Sequence, residues 1–491
     1  MATHNILIDD HSLRVHPDGA ALLLHLPWYR SLWLSSVDGL EVSINGSPVS
    51  TDRLRFELAG RSYRVDELRE QCDVLWFLSD AATLVLALDA PIAAGSTHRV
   101  VASARLSLPY MQIKPETYVP QVVHQTRDLI ARTAEEPTHD ELRLETTTVE
   151  AVPAAPDEPF KLGLTLYSAT SELNAGQYDL ESLLVRVAQE GVGPGIEIVA
   201  SQTLREYPVV TPDFVSTWRA AFDRHGFEAS AFGANLDMGR LRTRDMNDDE
   251  EYEFSAELLR GAHRLGFPLM RIQSARRTLL ERLLPLAESL DVALGYEIHA
   301  PSGPNAPAVQ EIRELYAELD SPLLGFVADF SSTMHAMSPA ILRTMRRMGL
   351  DEEATATLQR IWAGDAPGRE RQGEFLGYLS SRGIDPGDFG SFAFLAFNMH
   401  GHVPVEEWAD IMPQILHVHA KFYDIDDEGQ EPAIDYPAIV DVFVRGEFRG
   451  YMSSEWEGHA FLDLGEVDPI ALVRRQHNLI RRAMHASLAA V

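Results

Sequence analysis

Two hydrophobic rhythms divide this chain. Up to about residue 132, apolar side chains fall at every second position, as in Leu54, Phe56 and Leu58 and again in Leu84, Leu86 and Leu88. A period of two puts one face of a strand on a core and the other in water. Turn residues punctuate the strands at Pro17-Asp18-Gly19, Asn45-Gly46 and Ala59-Gly60. Asn-Gly favours a two-residue hairpin because both positions tolerate positive φ. The pattern predicts an antiparallel β-sandwich over residues 1–132, with Trp28, Tyr29, Trp33 and Trp76 in its core or at an interface. Residues 133–159 are acidic, proline-rich and poor in large apolar side chains. That is linker composition, compatible with a path over the surface of either neighbour.

From residue 160 the rhythm changes to short apolar runs alternating with amphipathic stretches. The runs predict strands at 161–167, 195–200, 228–235, 268–273, 292–299, 324–329, 415–421 and 450–455, with helices between them such as 180–189, 254–265 and 309–319. Alternating β and α units form a parallel sheet, and eight of them close into a (β/α)8 TIM barrel over 160–491. An open, doubly wound sheet is the alternative, but no glycine-rich dinucleotide turn follows the first strand. A segment at about 335–410, between the sixth and seventh strands, is longer than a βα connection requires. It reads as helical at 341–348, 353–362 and 375–381, carries an apolar run at 392–397, and is expected to act as a lid or subunit contact.

Four of the strands end in a polar residue. These are Glu297 in Leu-Gly-Tyr-Glu-Ile-His, Asp329 in Gly-Phe-Val-Ala-Asp-Phe, His419 in Leu-His-Val-His-Ala-Lys and Glu455 in Met-Ser-Ser-Glu-Trp-Glu-Gly-His. Singly, each is explained by a helix cap, an ion pair or a satisfied core histidine. Together they sit at the same end of strands five to eight, on the face where barrel active sites lie. Three carboxylates and an imidazole suit a divalent metal such as manganese, magnesium, cobalt or zinc. His299 and Lys421 follow Glu297 and His419 by two residues, so each faces the same side as its neighbour. An imidazole there is a candidate general base, with a fifth ligand as the competing role, and an ammonium is a candidate for a substrate oxygen or developing negative charge. Glu455 is a further candidate for proton movement. His417 is a reserve ligand, and Glu457 and His459 are weaker candidates nearby. Glu197, Asn235, Arg271 and Gln273 end strands two to four and are expected to contact substrate hydroxyls or to satisfy barrel hydrogen bonds.

Composition narrows the picture. A net charge of −31 over 491 residues argues against nucleic acid or an anionic membrane as partner, both of which need a basic face. With Cys72 as the only cysteine, neither an internal disulfide nor a cysteine-rich metal site is expected. The amino-terminal residues lack a signal-peptide pattern and no apolar run reaches membrane-helix length, so a cytoplasmic protein is expected.

The motifs Tyr-Glu-Ile-His, Val-Ala-Asp-Phe, His-Val-His-Ala-Lys and Ser-Ser-Glu-Trp-Glu-Gly-His resemble the xylose isomerase-like, sugar phosphate isomerase/epimerase superfamily over about residues 160–475. The resemblance implies one divalent metal on Glu297, Asp329, His419 and Glu455. It also implies a histidine three residues past the aspartate, where this chain has Ser332. Glu-x-His on strand five instead resembles the catalytic subunit of C-glycoside deglycosidases, which implies manganese and a histidine base. Leu-Pro-Trp-Tyr-Arg-Ser-Leu, Asp-Gly-Leu-Glu-Val-Ser-Ile-Asn-Gly and Leu-Pro-Tyr-Met-Gln-Ile resemble the small β subunit of the same enzymes. The implied reaction is carbon–carbon lysis of 3-keto C-glycosides, supplied by a separate sugar 3-oxidase, in a homo-oligomer. The competing activity is a metal-dependent keto-sugar isomerase or epimerase, and a non-catalytic sugar-binding protein is disfavoured by the intact ligand set.

Overall fold

The structure is a computed structural model that describes residues 6–138, 150–156 and 158–490. Residues 1–5, with the amino-terminal reading that falls on them, and 139–149 and 157 of the expected linker lie outside the described residues.

The amino-terminal part is antiparallel, with two large sheets and a short third one that pairs Leu32–Trp33 with Leu75–Trp76. One sheet orders Leu13–His16, Gly19–Leu24, Ala82–Ala87, Leu54–Leu58 and Arg61–Arg64; the other orders Thr117–Ile130, Thr97–Lys114, Val37–Ile44 and Ser47–Val49. Leu54, Phe56 and Leu58 are buried and Arg55 and Glu57 exposed, as the period of two requires. Asn45 and Gly46 link Val37–Ile44 to Ser47–Val49 with φ of 51° and 81°. Both are left-handed, which is what a tight hairpin of matching twist demands.

The remainder is a closed barrel of eight parallel strands, β1 Lys161–Thr165, β2 Gly195–Val199, β3 Glu228–Gly233, β4 Leu269–Ile272, β5 Ala293–Ile298, β6 Leu324–Asp329, β7 Ile415–Phe422 and β8 Tyr451–Trp456. Outward side chains such as Ile196, Phe326 and Val418 pack against the helices, while Ala231, Leu269 and Val327 form a small apolar cluster of their own. Alternation along each strand then puts Glu197, Arg271, Glu297, Asp329 and His419 on the same faces as Gly195, Leu269, Gly295, Val327 and His417. Between β6 and β7 lie helices Pro339–Arg347, Glu352–Trp362, Gly368–Ser381 and Gly390–Asn398; the first three fall on the three helical stretches expected from the sequence, and the fourth carries the apolar run at 392–397.

The two parts share a polar, buried contact. Arg30 forms an ion pair with Asp237, which follows β3, and both side chains are fully buried. Trp33 donates its indole N–H to the same carboxylate at 2.8 Å, and the Trp33 ring is part of the barrel's core. Ser31 N–H bonds Ser201 O at 3.2 Å and Gly239 N–H bonds Pro109 O at 2.8 Å. Ser201 and Gly239 follow β2 and β3, so the amino-terminal part sits on the face where the four candidate ligands end their strands. Removing one member of a buried pair leaves the other charge stranded at a cost of ~3–5 kcal/mol. Asp237→Ala should therefore lower the urea unfolding midpoint sharply. An unchanged midpoint would show that water reaches Arg30 and that the contact is incidental.

Candidate metal centre

β6, β7 and β8 bring their strand ends together in register. Asp329 lies opposite His419, and Lys421 opposite Glu455. The His419 imidazole is the hub. Its Nδ1 lies 2.7 Å from Glu297 Oε1, 3.2 Å from Glu455 Oε2 and 3.9 Å from Asp329 Oδ2. Glu297, Asp329 and His419 each offer a ligand atom within 4.8 Å of the others. Asp329 Oδ1 accepts the Ser331 N–H at 2.7 Å, which caps the turn after β6. Asp329 Oδ2 and Glu455 Oε2 are buried and accept no hydrogen bond. Lys421 Nζ approaches them at 3.4 Å and 3.1 Å without completing a hydrogen bond, and buried carboxylate oxygens short of hydrogen bonds are costly. Two of them aimed at one imidazole nitrogen, with a third carboxylate beside it, form a nitrogen-and-oxygen donor set that fits a divalent cation.

The far side of His419 is equally defined. Its Nε2 lies 2.8 Å from Glu197 Oε1, and His417 Nε2 lies 2.9 Å from Glu197 Oε2. A carboxylate can only accept, so His419 donates from Nε2 to Glu197 and from Nδ1 to Glu297. Burial disfavours the imidazolium, but Glu197, Glu455 and Glu297 outweigh it and hold the ring charged well above its ordinary range. A cation at the Nδ1 side would take the place of that proton. Of the two roles expected of Glu197, the structure has it satisfying hydrogen bonds inside the barrel and not facing substrate hydroxyls. Both its oxygens are occupied and its side chain is fully buried behind His419. Burial works against the Glu197 charge, but the two imidazoles outweigh it and hold the carboxyl well below the usual range. Outer partners of this kind commonly contribute ~10–100-fold to metal affinity. Glu197→Gln, which keeps the volume but loses the charge, should weaken manganese binding by that factor in a competition titration. Undiminished affinity would mean that packing alone orients His419.

The surrounding charges are coupled. Burial disfavours the Glu297 carboxylate, yet Arg271 and His419 outweigh it, and the group titrates well below its ordinary value. Burial pushes Glu455 the other way, up to about 7, against the opposing pull of Lys421. Lys421 Nζ lies 3.4 Å from Asp329, 3.1 Å from Glu455 and 2.9 Å from Glu457. Burial disfavours its charge, but these carboxylates hold the ammonium well above its ordinary value. Glu457 is brought down to about 2: burial opposes its charge, and Lys421 overrides burial. Tyr167, after β1, donates to Glu457 at 2.9 Å.

His299 follows β5 at the rim. Its Nε2 is 3.7 Å from Asp329 Oδ2, and its Nδ1 is 2.8 Å from the Ala300 carbonyl. The carbonyl only accepts, so Nδ1 carries the N–H and Nε2 carries the lone pair of the neutral ring. Its side chain keeps 27% of its surface. On the neighbouring wall, Asn235 donates to Gln273 at 2.6 Å, and Arg271 Nε lies 3.8 Å from Glu297 Oε2. Asn235 and Arg271 are buried and Gln273 is exposed. Two more residues belong near the site: Tyr29 was expected in a core or at an interface, and His400 had no distinguishing sequence signal. Tyr29, from the amino-terminal part, meets Tyr167 edge-on at 5.6 Å, and His400 reaches the site from the insert.

The fold and donor set define a TIM barrel whose centre fits a divalent cation. The protein-family model described as C-glycoside deglycosidase beta subunit matches residues 7–110. Over 328 residues, the chain is 59% identical to a C-glycoside deglycosidase alpha subunit of Arthrobacter globiformis, covering 67% of this chain and 93% of that one. It is 37% identical over 331 residues to the 3'-dehydrocarminate deglycosidase alpha subunit of a Microbacterium species, covering 66% and 94%. Over 119 residues it is 47% identical to a C-glycoside deglycosidase beta subunit of A. globiformis, covering 24% and 90%. Among solved structures, a sugar phosphate isomerase/epimerase of Parabacteroides distasonis aligns with a TM-score of 0.39 at 16% identity, covering 68% of this chain and 98% of that one. The chain belongs to the C-glycoside deglycosidase family, and it carries counterparts of both subunits in one polypeptide. Among the described residues, no helix is long and apolar enough to cross a membrane.

Proposed function

We propose that this protein is a lyase that cleaves the carbon–carbon glycosidic bond of 3-keto C-glycosides and releases the aglycone. The observation that carries the reading is the convergence of Glu297, Asp329 and Glu455 on His419 Nδ1, with the lone-pair nitrogen of His299 beside them. The named activities of the relatives support it, including one relative whose name specifies a 3'-dehydro substrate. The reading treats residues 1–132 as the counterpart of the small subunit, 133–159 as the connection, and 160–491 as the catalytic barrel with its insert at 335–410.

A divalent cation, manganese first, held by Glu297, Asp329, His419 and Glu455 would supply Lewis acidity toward the sugar oxygens. A ketone at C3 acidifies the C2 proton, and His299 Nε2 removes it. The electron pair from the C2–H bond forms a C1–C2 double bond. The bond from C1 to the aglycone breaks, and its pair goes to the aglycone carbon, which takes up a proton. The products are a phenolic aglycone and an unsaturated keto sugar. Lys421 lies among carboxylates on the same side and stabilises negative charge that develops on a sugar oxygen. The ketone comes from a preceding oxidation at C3, so a sugar 3-oxidase belongs upstream. The test is to incubate the protein and manganese with a 3-keto C-glucoside and follow free aglycone. Release supports the reading. Interconversion of keto sugars without release overturns it in favour of an isomerase or epimerase.

A further inference from the structure

The insert between β6 and β7 brings one side chain to the site that the chemistry above does not use. After helix Gly390–Asn398 the chain turns back onto the loop that follows Asp329. Gly401 N–H bonds Ser331 O at 2.8 Å, Met334 N–H bonds Gly401 O at 2.9 Å and Val403 N–H bonds Ser332 O at 2.9 Å. The approach is so close that a Cβ on residue 401 would lie 2.6 Å from Ser332 O, so only glycine fits. This seam fixes the preceding residue, His400, on the side of the barrel where Tyr423 follows β7. The imidazole packs edge-on against Tyr423, just past β7, at 5.2 Å between ring centres. The groups that act on it electrostatically are Glu457, His299, His402 and Lys421, and three of these line the site.

His400 is only 2% exposed, and its Nδ1 has no hydrogen-bond partner. Burial holds the imidazole far down, to about 3, so it is neutral at working pH. A neutral imidazole has one N–H and one lone pair. With no protein partner on Nδ1, nothing in the fold selects the tautomer. A ligand hydroxyl, which both donates and accepts, suits either form, whereas a carboxylate or a carbonyl suits only one. Leaving a buried nitrogen unsatisfied costs roughly 1–3 kcal/mol. A group that is costly in the free protein but satisfied by a ligand is the pattern expected of a binding residue.

We propose that His400 is a substrate-binding residue delivered by the insert, and that its Nδ1 receives a sugar hydroxyl of the keto glycoside. The insert is thereby part of the binding site. This rests on the 3-keto C-glycoside reading given above.

The test uses the full chain with manganese and a 3-keto C-glucoside, comparing wild type with His400→Phe and His400→Gln. Phe keeps a ring against Tyr423 and removes both nitrogens; Gln keeps a donor and an acceptor. The expected result is a KM about tenfold higher for His400→Phe, equivalent to one lost hydrogen bond, with kcat much less affected. His400→Gln should fall between the two. Metal content should be unchanged, and the thermal midpoint of His400→Phe should equal or exceed that of wild type, because an unsatisfied polar atom has gone. A KM equal to wild type in both variants overturns the proposal while leaving the function intact. So does a KM increase accompanied by a lower midpoint and lost metal, which marks a structural histidine. A wild-type protein that neither binds nor cleaves the keto glucoside overturns both this proposal and the function on which it rests.

Discussion

Asp329→Ala should yield a folded protein that holds no manganese and releases no aglycone. Asp329 is fully buried, with one oxygen committed to the Ser331 N–H and the other, 3.4 Å from Lys421 Nζ, completing no hydrogen bond. Losing a directly binding carboxylate should weaken metal affinity by more than the ~10–100-fold typical of an outer partner. Asp329→Asn separates the two jobs of the side chain. Its amide oxygen still accepts from Ser331, so the turn after β6 should persist while the charge facing the metal is gone. Metal analysis of both variants after dialysis is the measurement, with circular dichroism to verify the fold. Full metal content in Asp329→Ala would remove this residue from the ligand set. Loss in the Ala variant alone would trace the defect to the turn.

The second large effect concerns His299. His299→Ala should retain its metal, still bind the keto glycoside and release aglycone ~100- to 10,000-fold more slowly, the usual cost of deleting a positioned base. The geometry predicts that the loss appears in kcat. His299 Nε2 lies 3.7 Å from Asp329 Oδ2 while Nδ1 is tied to the Ala300 carbonyl, and removing the ring leaves His419 and its carboxylates in place. Single-turnover assays with metal-loaded protein measure the chemical step directly. A variant that cleaves at the wild-type rate would pass the role to a carboxylate, with Glu455, pushed up to about 7 by burial, first in line. The same assay separates His299 from His400. The base should change kcat, and the proposed hydroxyl-binding residue should change KM.

What was legible in the sequence came from repetition. Eight apolar runs at βα spacing define the barrel, and all eight strands are present, the observed ends lying within two residues of the predicted ones. A polar residue that ends such a run must point into the barrel mouth, so Glu297, Asp329 and His419 could be placed on one site before any contact was known. His299 and Lys421 followed from the period of two. The amino-terminal hairpins were readable for the same reason, since Asn45-Gly46 encodes its turn locally.

Glu197 shows where that logic stops. Its position at the end of β2 is equally compatible with facing a ligand or standing behind one. Only closure of the barrel, which brings it to His417 across 220 residues of chain, assigns it to the back of His419. Asp237 carries no motif and the one around Arg30 names no partner for it; their pairing exists only because one part of the chain docks on the loops of the other. His400 lies in an irregular return segment with no periodicity, and the Gly401–Ser332 seam decides where it goes. Sequence by itself determined the elements, the direction each side chain leaves its strand, and hence which polar residues gather at one end of the barrel, because these depend on near neighbours and on a repeated pitch. Tertiary structure alone decided which charges meet, which nitrogen of each imidazole is committed and which insert residue reaches the site, because those depend on contacts between segments far apart in the chain.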